Sequence, residues 1–377
     1  MFNWRVVDDL DTITPAQWQA LNTQGNPFLS HAFLSGLERF NCLKNQNWHP
    51  SHIIIEEDNK LLGCMPLYVK EDSYGEFVFD WAWADAYHQA GRYYYPKLVS
   101  AIPFTPVGGT RLLVNKSHNT EAIKKTLLNA ALSLMDEKLY SSLHILFPEK
   151  QDMDVLTESA GLKRVTIQYH WLNKDYRDFQ DFTDALTSKK RKKIIKERRE
   201  IQSSGIEIER LNGNDISNTQ WHIFYQFYCQ TFHRKSGVPR LTLDFFKHIS
   251  KTLPEQTLLV MAKKDEAYIA GAFAMSDSNT LYGRHWGCNQ YVPNLHFELC
   301  YYQTIEYTIE KQLRRLDAGV QGEHKLARGF HPIAMPSSHW IREEDFRNAI
   351  AQYLDRETPI MQEHIEMLGS HLPFKLE

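Results

Sequence analysis

Cysteine is scarce in this chain. There are five in 377 residues, Cys42, Cys64, Cys229, Cys288 and Cys300, and no two form a CxxC pair. An odd number without paired spacing argues against a disulfide framework or a cysteine zinc site and suits a reducing compartment. Long apolar runs are also missing. None approaches the roughly 20 residues a membrane helix needs, so no membrane span is expected. The opening MFNWRVVDDL has no basic stretch followed by an apolar one, and it does not read as a secretory signal. Neither sign of charge dominates. The net charge is −3, which excludes a polycation built as a whole for nucleic acid. These absences predict a cytoplasmic chain. At 42% hydrophobic and 24% charged the composition is globular. The length exceeds what one core usually serves, which predicts two domains.

What is present repeats. ITPAQW (13–18) and ISNTQW (216–221) share an Ile, a hydroxyl residue and Gln-Trp, 203 residues apart. IIIEEDNKLLGCMPLYV (53–69) resembles LLVMAKKDEAYIAGAFAM (258–275). Each reads as a strand hairpin over a charged turn, with Gly63 and Gly271 in corresponding places. An aromatic-rich strand is expected next in each half, EFVFDWAW (76–83) and TLYGRHWG (280–287). A helix and a last strand follow. In the first half Ile123, Leu127, Leu128, Ala131, Leu134 and Met135 share a helical face before LHILF (143–147). In the second, Phe297, Tyr301, Ile305, Ile309 and Leu313 precede RRLDAG. The reading is an α/β plan built twice.

Between the halves lies SKKRKKIIKERRE (188–200), with eight basic residues, two acids and a local charge of +6. Leu186, Ile194 and Ile201 give it a sparse apolar stripe, and Gly205 is a candidate left-handed stop. The pattern predicts a solvent-facing helix over 188–203. Such runs are often only solvated charge. The functional alternative is an anion platform at Lys189, Lys190, Arg191 and Lys192 for phosphates of a substrate, cofactor or RNA.

The other dense stretch is RLDAGVQGEHKLARGFHP (315–332). Glu323, His324 and His331 lack HExxH spacing and a nearby cysteine, so no metal is expected. The glycines fit no GxxxxGK[ST] cradle, and the chain has no GxSxG elbow. General acid–base chemistry remains. Asp317 ends a strand, Glu323 and His324 can move a proton, and Lys325 and Arg328 can hold an anion. Arg284 and His285 sit on the preceding strand with side chains on opposite faces, and His296 and Glu298 open the next helix. One of Arg284 or His285 is expected to share a cleft with Asp317, Glu323 and His324.

FTPVGGTRLL (104–113), the basic joint, LYGRHWG (281–287), HFELCYYQTIEYTIE (296–310) and GVQGEHKLARGFHP (319–332) together resemble the FemAB-like predicted N-acyltransferases. That family is similar to the Fem-type aminoacyltransferases, which have two tandem GNAT (acetyltransferase-like) domains. The resemblance implies an α/β tandem duplication, each domain a mixed central sheet flanked by helices, with domains at 1–175 and 176–377. It implies acyl or aminoacyl transfer to an amine of a small molecule or peptide, and the setting it suggests is the cell wall. An acyl-CoA or aminoacyl-tRNA serves as donor co-substrate, and no cofactor is tightly bound. tRNA is the implied macromolecular partner; the oligomeric state stays open. Glu323, His324 and Asp317 are its implied catalytic residues. Arg284, His285, Glu298, Lys325, Arg328, Thr105 and Arg111 are implied to bind substrate. Two departures stand out. Asp317 occupies the place of the family's EAGA glutamate. The acetyl-CoA turn [QR]xxGx[GA] is absent from GCNQYVPNLHFE (287–298), where Glu298 would repel a pyrophosphate. A rival reading keeps the fold as a non-catalytic module that recognises a peptidoglycan precursor or another anionic ligand.

Overall fold

The computed structural model describes residues 2–21, 23–58, 60–320 and 322–375, and the side chain of Glu323 lies outside the described set. Two compact units emerge: Met1–Thr166 with Ala334–Glu363, and Ile167–Ile333 with His364–Glu377. The expected division at 175/176 therefore differs from the observed one. No linker separates the units, because a single long strand carries the chain from the first into the second. A later strand carries it back.

The first unit begins with β1 (Trp4–Val7), α1 (Pro15–Gln19), α2 (His31–Arg39) and β2 (Trp48–Pro50). The hairpin β3 (His52–Glu57) and β4 (Lys60–Met65) follows, then β5 (Tyr68–Lys70), α3 (Trp81–Gln89), β6 (Lys97–Ser100) and β7 (Leu113–Val114). Next come α4 (Thr120–Glu137), β8 (Ser142–Leu146), α5 (Lys150–Glu158) and the crossing strand β9 (Leu162–Leu172). The second unit holds α6 (Phe179–Asp184), α7 (Ser188–Gln202), β10 (Ile206–Asn212), α8 (Asn218–His233) and α9 (Leu243–Thr252). β11 (Thr257–Lys264), β12 (Ala267–Ser276) and β13 (Thr280–Cys288) form its meander. α10 (Leu295–Phe297), a π turn at Glu298–Tyr302 and α11 (Gln303–Glu310) run as one helical stretch into β14 (Arg315–Asp317). The returning strand β15 (Phe330–Ile341) and α12 (Glu344–Ser370) close the chain.

The duplication is visible at atomic detail. Thr14 and Gln17 close a capping box at α1, and Ser217 and Gln220 close the same box at α8. In each, the hydroxyl accepts the N–H three residues on while the Gln amide oxygen accepts the cap N–H. Trp18 and Trp221, one residue later, are both buried. β1 runs antiparallel to β3 as β10 does to β11, and β4 pairs with β7 as β12 pairs with β13.

The stretch 76–83 is not the strand expected from its aromatic residues. α3 starts at Trp81, and Trp83 and Tyr87 are buried at helical spacing. The strand that follows the hairpin and pairs with β4, as β13 pairs with β12, is β7, after a long inserted segment. The faces expected for α4 and α11 hold. Ile123, Leu127, Leu128, Ala131, Leu134 and Met135 pack under Ile53, Ile55 and Leu62. Tyr301, Ile305, Ile309 and Leu313 join Leu258, Val260 and Leu316.

A buried polar network in the first unit is announced by no local pattern in the sequence. Lys97 on β6 donates to Asp80 at 2.5 Å, to Glu76 at 2.9 Å and to Ser73 at 2.9 Å. The Tyr94 hydroxyl donates to Asp80 at 2.6 Å and meets His144 at 3.1 Å. His144 Nδ1 lies 2.6 Å from His339 Nδ1, on the paired strands β8 and β15. Burial first, then the nearby Lys97, hold His144 down near 3. Burial acts against every charge here; the ammonium between the two carboxylates helps to keep Asp80 ionised, while burial raises Glu76 to about 7.

Candidate functional site

The second unit opens a crevice between two parallel strands. β13 pairs with β14 only from Thr280 to Tyr282, where Tyr282 stands opposite Asp317. On its other side β13 stays paired with β12 as far as Cys288, with an irregularity opposite Arg284. Beyond Tyr282 the edge of β13 that faces β14 has no strand neighbour among the described residues. Gly287 lets α8 lie close to the free end, since a Cβ there would fall 2.2 Å from the Phe227 carbonyl oxygen. Ligands of open α/β sheets bind where strands end and separate in this way.

Asp317 sits buried at the point of separation. Its Oδ1 accepts the Gly319 N–H at 2.8 Å and lies 3.5 Å from His170 Nε2 on β9. Of the two residues proposed on β13, it is Arg284 that shares this environment. Burial lowers its guanidinium to about 10, while the Asp317 charge works the other way. His285 faces the opposite side, against Tyr228, Phe246 and Phe273, and burial holds it neutral.

The loop after β14 folds over Asp317. Gly322, at φ 105°, starts a 3₁₀ turn over Glu323–Arg328, a backbone region that glycine enters without strain. The Lys325 ammonium is buried and donates to the carbonyls of Ala318 at 2.5 Å and Gly319 at 3.3 Å. Burial lowers it to about 8, against the pull of Asp317. His324 is exposed, and its Nε2 lies 2.9 Å from the Tyr301 hydroxyl. Partial burial of its ring, then the charges of Arg328 and Lys325, lower its pKa. The Glu323 carboxylate lies outside the described residues. Among the described residues no group of three His, Cys, Asp or Glu gathers as a metal set, and His331 stacks on Phe374 instead.

Arg328 and Glu298 have protein partners. Arg328 donates to Glu197 at 2.9 and 3.1 Å, to the Tyr302 hydroxyl at 2.9 Å and to the His324 carbonyl at 3.0 Å. Its guanidinium also covers Phe297 at 3.5 Å. Glu298 accepts from Arg198 at 3.2 and 3.3 Å. The basic helix α7 thus holds the site from beneath through Glu197 and Arg198, which its run of lysines conceals in the sequence. Its other face is exposed and carries Lys189, Lys192, Lys193, Lys196 and Arg199 at helical spacing. Lys190 and Arg191 are half-buried, and Arg191 pairs with Asp184 at 3.1 Å. Arg328→Met is expected to destabilise the chain by about 3 kcal/mol, because Glu197 is left buried without its main partner. Urea denaturation measures this, and adding Glu197→Gln should restore much of the loss.

In the first unit Thr105 and Arg111 serve the fold. Thr105 is buried and its hydroxyl donates to the Pro103 carbonyl at 3.0 Å. Arg111 is fully buried and donates to the carbonyls of Leu146, Gly109, Thr110 and Val107. The corresponding strands belong to different sheets here: β7 pairs with β4, while β8 lies between β6 and β15. Where the second unit has an open crevice, the first has a guanidinium bonded to loop carbonyls.

Two α/β units of one plan, the second with parted parallel strands and a glycine-hinged loop over a buried acid, define a tandem GNAT-like chain. The chain belongs to the FemAB-like family, described as peptidoglycan biosynthesis/recognition, whose family model matches residues 9–376. Among solved structures it is similar to FemX, with 12% identity and TM-score 0.51 over 83% of this chain and 93% of that one. It is also similar to L-PGS from Bacillus licheniformis, with 12% identity and TM-score 0.50 over 86% and 92%. A tandem GNAT protein from the clavulanic acid biosynthesis pathway matches at 10% identity and TM-score 0.47, over 90% and 98%. At such identities the likeness is one of fold. No curated protein sequence matches significantly. No described helix is long and apolar enough to cross a membrane.

Proposed function

We propose that this chain is an N-acyltransferase that moves an acyl or aminoacyl group from an activated donor, an acyl-CoA or an aminoacyl-tRNA, to the amine of a small molecule or peptide. The observation that carries this reading is the parting of β13 and β14 above Asp317, in a chain of the FemAB-like family. A free strand edge offers backbone N–H groups to an acyl carbonyl and to the oxyanion formed when the amine adds. His324 is the base best supported by geometry. If its Nε2–H donates to the Tyr301 oxygen, Nδ1 is left as a proton acceptor, and burial, then the neighbouring cations, favour the neutral ring. Asp317 and Lys325 hold the loop and the local charge, and Glu323 is the second candidate for proton transfer. The chemistry belongs to the second unit, because Arg111 in the first is committed to the fold. The exposed face of α7 suits the phosphates of an RNA donor.

The test is a binding titration against a panel of acyl-CoAs and against charged and uncharged tRNA at two salt concentrations, followed by transfer assays with amine acceptors. Reversing Lys189, Lys192, Lys193 and Lys196 to Glu is expected to weaken tRNA binding by about tenfold or more and to flatten its salt dependence. Unchanged affinity and slope would remove the RNA-donor reading. No transfer from any donor would favour a recognition module.

A further inference from the structure

The loop EDSYGEFVFD (71–80), between β5 and α3, belongs to the insertion that the second unit lacks. Its residues 71–79 make no backbone–backbone hydrogen bond among the described residues. Side chains hold it instead. Lys70 donates to Asp72 at 2.7 Å and to the Tyr74 carbonyl at 3.3 Å. Arg164 on β9 donates to the Phe79 carbonyl at 2.8 Å. Lys97 on β6 donates to Ser73, Glu76 and Asp80. The path of the loop is not a relaxed one. Phe77 holds φ at 64°, a left-handed conformation that disfavours so bulky a side chain. The buried side-chain contacts therefore keep the loop closed.

The charges under the loop do not balance. Lys70 is matched by Asp72, and Arg164 by Glu357 at 2.7 Å. That leaves Glu76 and Asp80, both buried, for the one ammonium of Lys97. Tyr94 and His144, the rings that meet Asp80, add no positive charge, because burial keeps the phenol protonated and the imidazole neutral. An excess carboxylate removed from water takes up a proton rather than stay charged. Geometry selects Glu76. Asp80 accepts from both Lys97 and Tyr94. Glu76 accepts from Lys97 at 2.9 Å through one oxygen, and its Oε1 is buried with no hydrogen-bond partner among the described residues. Burial above all, with the Asp80 charge, pushes the Glu76 carboxyl up to about 7, against the pull of Lys97 and Lys70.

We propose that Glu76 holds a proton while the 71–80 loop is closed, and that the loop is a pH-sensitive latch, tight with the proton on and loosened when it leaves. The charged groups that face Glu76 are Lys97 of β6, Asp80 at the start of α3 and Lys70 of β5. An ionised Glu76 regains its hydration by leaving the interior, and the backbone at Phe77 relaxes as it goes. The sign follows. The closed form holds its proton more tightly than the open one, so its advantage is complete below the ordinary value of 4.5 and is lost as pH rises to about 7. The loop carries Tyr74, whose exposed ring packs edge-on against Trp81 at 4.9 Å, so the latch sets the shape of an aromatic surface. None of this depends on acyl transfer.

The test is amide hydrogen exchange of residues 71–79 in the full chain at about pH 5.5 and about pH 8, with the intrinsic pH dependence of exchange divided out. Opening of the loop in the parent is expected to rise about thirtyfold between the two, the ratio that carboxyl values of about 7 closed and 4.5 open require. Glu76→Gln keeps an acceptor for Lys97 and cannot ionise, so its loop should stay protected to within about threefold at both. Circular dichroism checks that this variant is folded. Asp80→Asn covers the case in which it is not: with one carboxylate left for Lys97, Glu76 should release its proton at lower pH, and the rise above about pH 5.5 should shrink several-fold. Protection in the parent that does not fall with pH overturns the latch. So does a fall of equal size in the folded variants.

Discussion

Replacing Lys97 with methionine is expected to destabilise the chain by about 5 kcal/mol at neutral pH, the upper end for breaking a buried ion pair. The ammonium is fully buried and is the only described cation within ion-pair distance of Glu76 and Asp80, the His144 ring apart. Burial raises Glu76 to about 7 even with Lys97 in place. Burial is the largest single influence on Asp80 and opposes its charge, but Lys97, His144 and the hydrogen bonds from Lys97 and Ser73 together hold that carboxyl well below the usual range. Without Lys97 both acids titrate higher. The sign of the pH dependence follows. An acid with a raised folded-state pKa is easiest to accommodate when protonated, so the deficit of the variant should be largest near pH 8 and shrink toward pH 5. Urea denaturation of both chains across this range measures it. A deficit below about 1 kcal/mol at pH 8 would mean that water reaches these carboxylates.

That network also marks a limit of reading the sequence. Lys97, Glu76, Asp80, Tyr94, His144 and His339 are spread over more than 260 residues, and no local pattern joins them. They meet because β6 lies parallel to β8, and β15 returns to β8 from the far end of the chain. Local signals fared better. The capping boxes before Trp18 and Trp221, the two hairpins, the face of α4 and the strand RLD were legible because each depends on neighbouring residues. The expected strand at 76–83 failed because aromatic content suits a half-buried strand and a helix alike. The spacing of Trp83 and Tyr87 was the better guide.

The site was legible in part, for the same reason. Asp317, Lys325 and Arg284 stand in two dense stretches, and the α/β crossover brings those stretches together. His170 was missed because β9 carries no motif. Glu197 and Arg198 were hidden in a run of lysines that reads as solvated charge. Only the helical period, which turns these two inward while Lys193 and Lys196 face solvent, separates the roles. The two faces of α7 therefore differ: the inner one fixes Arg328 and Glu298, and the outer one is exposed and basic.

Lys325→Met should separate function from stability. Methionine fills a similar length, so the chain is expected to fold. The carbonyls of Ala318 and Gly319 lose charged hydrogen bonds worth about 1.5–3 kcal/mol each, while the cost of burying an ammonium disappears. The net change in stability should stay within about 2 kcal/mol at pH 7. Transfer should fall by about a hundredfold or more, because the loop over Asp317 loses its anchor and the crevice loses a positive charge. pH supplies an independent readout. Burial lowers Lys325 to about 8 from an ordinary value of 10.5. Between these values the unfolded chain keeps a proton that the folded chain has released, so this group makes stability rise with pH, by up to about 3 kcal/mol. That contribution should vanish in the methionine variant. The rate of the parent should decline above about pH 8 as the ammonium is lost. A variant that keeps transfer within about tenfold of the parent would show that Lys325 only closes the fold around its loop.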